Sequence, residues 1–267
     1  MASINTSKVA TERLGPVTLV ELQNPPHNFF DIDILTELAD TILALDDDPD
    51  CRAIVLASQG KNFCAGGNFG TGAAGSGYDT FNRDNFASEI GKVYGQGARI
   101  FANKKPIVAA VQGSATGGGL GLSLTADFRV ASPQSKFWAN FTKLGIHTGF
   151  GATVTLPRVI GLQAAHKWLM TGRRIGGIEA EKIGLVDHLT TNELIRADAI
   201  VLAQDIAGNA PLAVASIRAA VREGLQAAVM AAIEVEVREQ SRLRVTEDAE
   251  EGIRSIAQKR PGRFLGR

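Results

Sequence analysis

The sequence is poor in cysteine and has no excess of either charge. Its two cysteines, Cys51 and Cys64, show neither a CxxC nor a CxxC-His spacing, which excludes the usual zinc and redox motifs. Basic and acidic residues both number 28, so nothing indicates a nucleic-acid or anionic-membrane surface. No apolar run approaches the roughly 20 residues that span a bilayer, and residues 1–13 lack the apolar core of a signal peptide. We therefore expect a cytoplasmic protein with no membrane or nucleic-acid partner.

Several catalytic motifs are also missing. A dinucleotide-binding G-x-G-x-x-G is excluded because Leu122 and Leu124 stand where its last glycine would be, and the lysine of a P-loop is absent. Ser123 lies within a predicted helix, which argues against a nucleophile elbow. The four histidines have no metal-ligand spacing, and the acidic run 46–50 is interpreted as a solvated turn, so no metal site is predicted.

The most informative stretch is residues 106–121. An apolar run of strand length ends at Gly113, and the triplet Gly117, Gly118 and Gly119 then opens an apolar segment that stops at Asp127. This pattern predicts a strand, a tight loop and a buried helix. The unpaired N–H groups of a helix start can bind an oxyanion, and glycine lets a ligand approach them closely. The alternative is that the glycines only permit close packing.

The same arrangement occurs about fifty residues earlier, where the apolar run 53–58 leads into the glycine-rich loop 60–70. If the two strands are parallel neighbours, both loops leave the sheet at one edge and can aim N–H groups at one point. Residues 70–77 are interpreted as a flap or a surface loop. Asp79, Asp84 and Glu89 follow on a predicted helix that ends near Phe101.

The second half predicts an α/β core followed by helices. Strands are expected at 128–131 and 137–141, and a third glycine-punctuated loop follows at 143–152. From residue 192 the pattern is helical, with helices expected near 192–208, 212–224, 228–246 and 249–258. The predicted fold class is therefore α/β with a C-terminal helical region.

Segments 62–68, 106–119, 172–187 and 252–264 together resemble the enoyl-CoA hydratase/isomerase (crotonase) superfamily in order and spacing. The resemblance implies a spiral of repeated ββα units over residues 1–195 and a helical oligomerisation region over 196–267 that forms trimers or dimers of trimers. It also implies an acyl-CoA substrate in fatty acid metabolism, bound without a separate cofactor because coenzyme A is part of the substrate.

In this superfamily two backbone N–H groups hold the thioester carbonyl oxygen and stabilise an enolate-like intermediate. By motif position the resemblance assigns these donors to Ala65 and Gly118. The neighbouring residues expected to contact substrate are Gly66, Gly67, Asn68 and Gly117.

The sequence departs from the hydratase pattern at both acid–base positions. The two glutamates that position and protonate water correspond here to Gly121 and Phe141. Each such group typically contributes 10²–10⁴-fold, so ordinary hydration is not expected. A substitute acid or base is sought in His147, because imidazole is a common proton-transfer group in enzymes. The alternatives are that His147 is a hydrogen-bonded loop residue, that a water or small anion fills the space opened by Gly121, or that Asp79, Asp84 or Glu89 moves in with the flap.

Phe69, Trp138 and Phe141 are candidates for an apolar acyl pocket, and Lys61, Lys259 and Arg260 for contacts to the phosphates of coenzyme A. Three functions stay open. The first is an enzyme with altered chemistry, such as double-bond isomerisation, thioester or C–C cleavage, or decarboxylation. The second is an active hydratase with relocated acid–base groups, and the third is a non-catalytic acyl-CoA binding protein.

Overall fold

A computed structural model describes residues 7–68 and 86–267. In these residues the strands are β1 Val9–Leu14, β2 Val17–Leu22, β3 Ala53–Ser58, β4 Ile107–Val111, β5 Ser114–Thr116, β6 Phe128–Ala131, β7 Lys136–Trp138, β8 Arg174–Gly176 and β9 His188–Leu189. The helices are α1 Ile32–Ala44, α2 Phe86–Arg99, α3 Gly118–Ser123, α4 Ala152–Ile160, α5 Leu162–Thr171, α6 Gly177–Lys182, α7 Ile195–Ala207, α8 Pro211–Val221, α9 Leu225–Arg244 and α10 Glu247–Ala257. The α/β prediction is confirmed.

The larger sheet has the strand order β1-β2-β3-β4-β6-β9. Its β1 is antiparallel to β2, and every other neighbouring pair is parallel. Strands β3 and β4 are parallel neighbours with Ile54 opposite Ile107, which is the condition under which the repeat places both loops at one edge. The loops that follow these two strands therefore leave the sheet at the same edge.

Both faces of the sheet are buried at its central strands β3 and β4, which is why these two strands are almost entirely apolar. Successive side chains point to opposite faces. On β3, Val55 packs against α7, whereas Ile54 and Leu56 belong to the larger core beneath α1, α2, α4 and α5. This larger core therefore packs against one face of both β3 and β4, the strands that lead into the two loops.

A smaller sheet, β5-β7-β8, was not predicted as such from residues alone. The chain makes the short strand β5 between β4 and the glycine triplet, where the sequence predicted only a loop. Helix α3 also ends at Ser123, earlier than the predicted stop at Asp127. The hydroxyl of Ser123 donates a hydrogen bond to the Leu120 carbonyl, and the hydroxyl of Thr125 donates one to the Leu122 carbonyl. Such side-chain bonds to the backbone compete with continuation of a helix.

The C-terminal helices cover the core. Helix α7 begins at Ile195, near the predicted domain boundary, and packs on the larger sheet through Ala199 and Ala203. Helix α9 lies against α2 and α4, and α10 covers the segment that contains Phe141 and Leu144. The division of the chain at residue 195 stays a prediction.

Within the described ranges, no single helix has the length and apolar character needed to cross a bilayer. Helices α7 and α8 meet the two criteria only when they are taken together, and the chain bends by 105° at the break between them.

Candidate functional site

The loops after β3 and β4 are joined by backbone hydrogen bonds. Cys64 and Ala115 form a parallel bridge, in which the Cys64 N–H donates to the Ser114 carbonyl at 3.1 Å and the Thr116 N–H donates to the Cys64 carbonyl at 3.0 Å. The N–H of Gly117 donates to the Trp138 carbonyl at 2.8 Å. These bonds fix the two glycine-rich loops against each other, as the repeat predicted.

The joined loops form one wall of a small cavity of about 30 Å³. This volume is close to the share of one water molecule in the liquid, roughly 30 Å³. The cavity is lined by Phe30, Ala65, Gly67, Ile90, Tyr94, Gly117, Gly118, Asn140, Phe141 and Leu144. Its wall therefore contains both loops, α2 and the segment that carries Phe141.

Among the cavity residues, Gly67 and Gly118 lie on the two joined loops and have backbone N–H groups that stand free. In the part of the chain that the structure describes, neither N–H donates to an acceptor. The N–H of Ala65 is different because it donates to the His27 carbonyl at 3.0 Å. The prediction that Ala65 supplies a free donor is therefore wrong in this structure, although Ala65 does line the cavity. Gly67, two residues later in the same loop, has the free N–H instead.

The glycines of these loops also permit close packing, so both interpretations of the sequence hold together. Gly66 has φ +81°, and a Cβ there would lie 2.9 Å from the Thr116 carbonyl and 3.0 Å from the Gly118 nitrogen. A Cβ at Gly118 would collide with the Phe30 ring. Glycine at these positions lets the two loops approach until Gly67 and Gly118 share one cavity.

Two side chains in the cavity wall carry polar atoms. Asn140 is 9% exposed, and its Oδ1 has no hydrogen-bond partner among the described residues. Tyr94 is buried, its hydroxyl lies 3.4 Å from the Gln240 amide nitrogen, and burial raises the pKa of the phenol. Neither residue was singled out from the sequence, although Asn140 directly precedes Phe141 and could have been considered on that ground.

The chain was then compared with known proteins. A sequence model described as enoyl-CoA hydratase/isomerase matches residues 12–267. The chain belongs to the enoyl-CoA hydratase/isomerase family. This membership confirms the family that the motifs indicated.

Relatives support the assignment. The chain is 32% identical over 245 residues to a crotonyl-CoA hydratase of Syntrophomonas wolfei subsp. wolfei, with 90% of each chain covered. It is 33% identical over 208 residues to a carnitinyl-CoA dehydratase of Citrobacter koseri, with 77% of each covered. A crystal structure of an enoyl-CoA hydratase/isomerase from Pseudoalteromonas atlantica T6c has a TM-score of 0.81 at 24% identity, covering 97% of this chain and 100% of that one. This last likeness confirms the crotonase-like fold.

In this enoyl-CoA hydratase/isomerase family member the space beside Gly121 is filled. A Cβ at Gly121 would lie 2.6 Å from the Cβ of Phe150, whose side chain is fully buried against Phe30 and Tyr94. The hypothesis that a water or anion occupies space opened by Gly121 is therefore wrong in this structure. Phe141, at the second expected glutamate position, lines the cavity as an apolar side chain.

His147 does not line the cavity. Its Nδ1 lies 2.7 Å from the Thr148 carbonyl oxygen, and its own carbonyl accepts a hydrogen bond from the Gln240 amide at 2.7 Å. These contacts describe a hydrogen-bonded loop residue, which was the alternative given above. The structure does not place His147 where it could exchange a proton with a ligand in the cavity.

Among the described residues, the one fully buried carboxylate belongs to Glu236 of α9, a residue that the sequence analysis missed. Its Oε2 accepts from the Gly151 N–H at 2.7 Å, and its Oε1 accepts from the Thr153 N–H at 3.1 Å and the Thr153 hydroxyl at 2.5 Å. Burial raises the pKa of this carboxyl. Glu236 follows Val229 and Ile233 at helical spacing, so an acidic residue on the buried stripe of α9 was the available signal.

Several other residues that the sequence placed at the site make their contacts outside the cavity. The Trp138 indole donates to the Gly172 carbonyl at 2.8 Å and lies under the Arg174 guanidinium, and Trp138 is not among the residues that line the cavity. Glu89 pairs with Lys92 at 2.9 Å on the outer side of α2. Gly66 and the buried Asn68 stand behind the cavity surface rather than on it.

Of the basic candidates, Lys61 is exposed on a groove with Gly113, whereas the Arg260 guanidinium is bound to Glu251 at 2.9 Å. Phe69, Asp79, Asp84 and the predicted flap lie outside the described residues. Across residues 7–68 and 86–267, no group of three or more histidine, cysteine, aspartate or glutamate side chains could hold a metal ion.

Proposed function

We propose that this protein binds an acyl-CoA thioester and stabilises an enolate-like intermediate with the N–H groups of Gly67 and Gly118. The observation that carries the proposal is that these two free N–H groups belong to one cavity. Loss of one such donor costs about 2.7–4 kcal/mol of transition-state stabilisation in another enzyme, so a pair contributes several kcal/mol. Coenzyme A is part of the substrate, and the proposal needs no separate cofactor.

The reaction is proposed to differ from ordinary hydration. Adding water across a double bond needs groups that activate the water and deliver a proton. The positions that would hold them are Gly121, against which Phe150 packs, and the apolar Phe141. We propose one of the following reactions instead: double-bond isomerisation, thioester or C–C cleavage, or decarboxylation. Of these, decarboxylation forms the enolate by release of CO₂ and needs no protein base at that step.

A panel of acyl-CoA thioesters tests this proposal, with turnover and direct binding measured side by side. Turnover of a non-hydration substrate supports an enzyme with altered chemistry. Binding without turnover supports the third function considered above, a non-catalytic acyl-CoA binding protein. Absence of binding by every thioester contradicts both.

We further propose that the chain assembles as a trimer or a dimer of trimers. The support is helix α8, in which no residue is buried and whose Leu212 and Ile217 are 86% and 65% exposed. Apolar side chains exposed in this number on one helix are typical of an interface. Sedimentation equilibrium tests it: we expect a mass of three or six chains, reduced in Ile217→Glu, and a monomeric wild type contradicts the proposal.

A further inference from the structure

The cavity contains a buried amide that the fold does not use. The Asn140 side chain is nine-tenths buried, and its Oδ1 is out of contact with solvent and without a partner among the described residues. Buried polar atoms in folded proteins are almost always hydrogen-bonded, so an exception calls for an explanation. An amide at a buried site gains its missing bond if a ligand supplies the partner.

The position of this amide is close to the free N–H groups. Its Oδ1 lies 2.9 Å from the point where a Cβ at Gly117 would stand, and Gly117 immediately precedes Gly118. Adjacent Cα atoms are about 3.8 Å apart, so the amide lies within a few ångströms of the proposed carbonyl-binding point. That separation matches the distance from a thioester oxygen to a substituent on the next one or two carbons of the acyl chain.

The remainder of the cavity wall makes this contact selective. Phe30, Ile90, Phe141 and Leu144 are apolar, and the hydroxyl of Tyr94 is directed toward Gln240 and Gly149. A polar substituent near the thioester carbon would therefore find its hydrogen-bond partner in Asn140. Because Oδ1 is an acceptor, the substituent that satisfies it has to donate a hydrogen bond, as a hydroxyl does; a keto oxygen or an ionised carboxylate cannot.

We propose that Asn140 is a specificity-determining residue that hydrogen-bonds a polar substituent on the α or β carbon of the acyl group. This inference rests on the proposed acyl-CoA function. It names the substrate class as acyl-CoA thioesters with a hydroxyl group within two carbons of the thioester carbonyl. Thioesters with a plain alkyl chain leave the amide unpartnered and bind more weakly.

The test compares wild type with Asn140→Leu, which removes the polar atoms and keeps a similar size. Dissociation constants are measured for 3-hydroxybutyryl-CoA, whose hydroxyl can donate, and for acetoacetyl-CoA and methylmalonyl-CoA, whose substituents only accept, each against butyryl-CoA. Wild type is expected to prefer 3-hydroxybutyryl-CoA to butyryl-CoA by about tenfold, the scale of one hydrogen bond, and the variant to lose that preference. An unchanged preference in the variant, or none in wild type, overturns the inference.

Two further readouts separate the possible outcomes. Because Oδ1 has no partner in the described protein, Asn140→Leu is expected to raise the unfolding temperature, whereas an amide with a structural role would lower it. A lowered temperature contradicts the inference. If wild type binds none of the four thioesters, the proposed function itself fails; if it binds all four equally, only the role of Asn140 fails.

Discussion

Phe150 lies where any side chain at Gly121 would begin, with 2.6 Å between the Phe150 Cβ and a Cβ built on Gly121. Phe150 holds a positive φ of 64°, which is unusual for a residue other than glycine and is typical of a position fixed by its surroundings. Its ring also packs so closely on α2 that a Cβ at Gly97 would collide with it. Phe150 therefore joins α2 and α3 behind the cavity and leaves no room for a carboxylate on α3.

Gly121→Ala is expected to destabilise the fold. Overpacking a tight core typically costs 1–3 kcal/mol, and the backbone of α3 has no free space on that side. Gly95→Ala on α2 is the matched control, because nothing lies within 4 Å of its Cβ position. Alanine there is expected to add about 0.4–1 kcal/mol of stability. Denaturant unfolding of both variants checks this, and equal stability of the two would contradict the packing described here.

This protein is expected to hydrate crotonyl-CoA more slowly than a hydratase that has both glutamates. The expected difference in rate is at least 10²–10⁴-fold, the contribution of one acid–base group. Gly121→Glu alone is expected not to restore hydration, because Phe150 obstructs the new side chain. Gly121→Glu with Phe150→Ala opens that space and is expected to be more stable than the single Glu variant. Hydration by wild type at an ordinary hydratase rate would refute the altered-chemistry account.

Much of the scaffold could be predicted from the apolar runs in the sequence and from the turn and capping residues that separate them. Asp31 caps α1 through a 2.9 Å bond from the Ile34 N–H, and the parallel neighbours β3 and β4 carry the predicted loops. The site was harder to predict because it depends on which N–H groups remain free. Ala65 was assigned by motif position, yet its N–H is used by the His27 carbonyl. Such a contact between distant segments leaves no local pattern, and neither does the orientation of Asn140.

Glu236→Gln is expected to change how stability depends on pH. Burial raises the pKa of this carboxyl in the folded protein above its ordinary value of 4.5, so folding favours the protonated form. The stability linked to it is fully present below about pH 4.5 and is lost as pH rises through the folded-state pKa. The difference in unfolding free energy, wild type minus Glu236→Gln, should therefore fall as pH rises above 4.5. A difference that rises with pH would contradict the assignment.

Asp127→Asn is expected to be strongly destabilising. The Asp127 carboxylate accepts from Arg218 Nε at 2.8 Å and from Arg222 Nη1 at 2.9 Å, and the two arginine side chains are 9% and 13% exposed. Removing the charge leaves two buried cations without a counter-ion, a change that typically costs 3–5 kcal/mol. Asp40→Asn, which disrupts an exposed pair with Arg99, should cost about 1 kcal/mol or less. The loss of unfolding free energy in each variant is measured by thermal or denaturant unfolding. Equal losses in Asp127→Asn and Asp40→Asn would argue against a buried charge cluster.

The central claim is that the N–H groups of Gly67 and Gly118 polarise a bound thioester carbonyl. The most direct measurement is the infrared stretching frequency of ¹³C-labelled butyryl-CoA at its thioester carbon, free and bound. Hydrogen bonds to the carbonyl oxygen weaken the C=O bond, so we predict a shift to lower frequency on binding to wild type. Gly67→Ala keeps the N–H and should keep most of the shift, whereas Gly67→Pro removes the N–H and should lose much of it. A bound thioester with an unshifted carbonyl, or equal shifts in the two variants, would contradict the account.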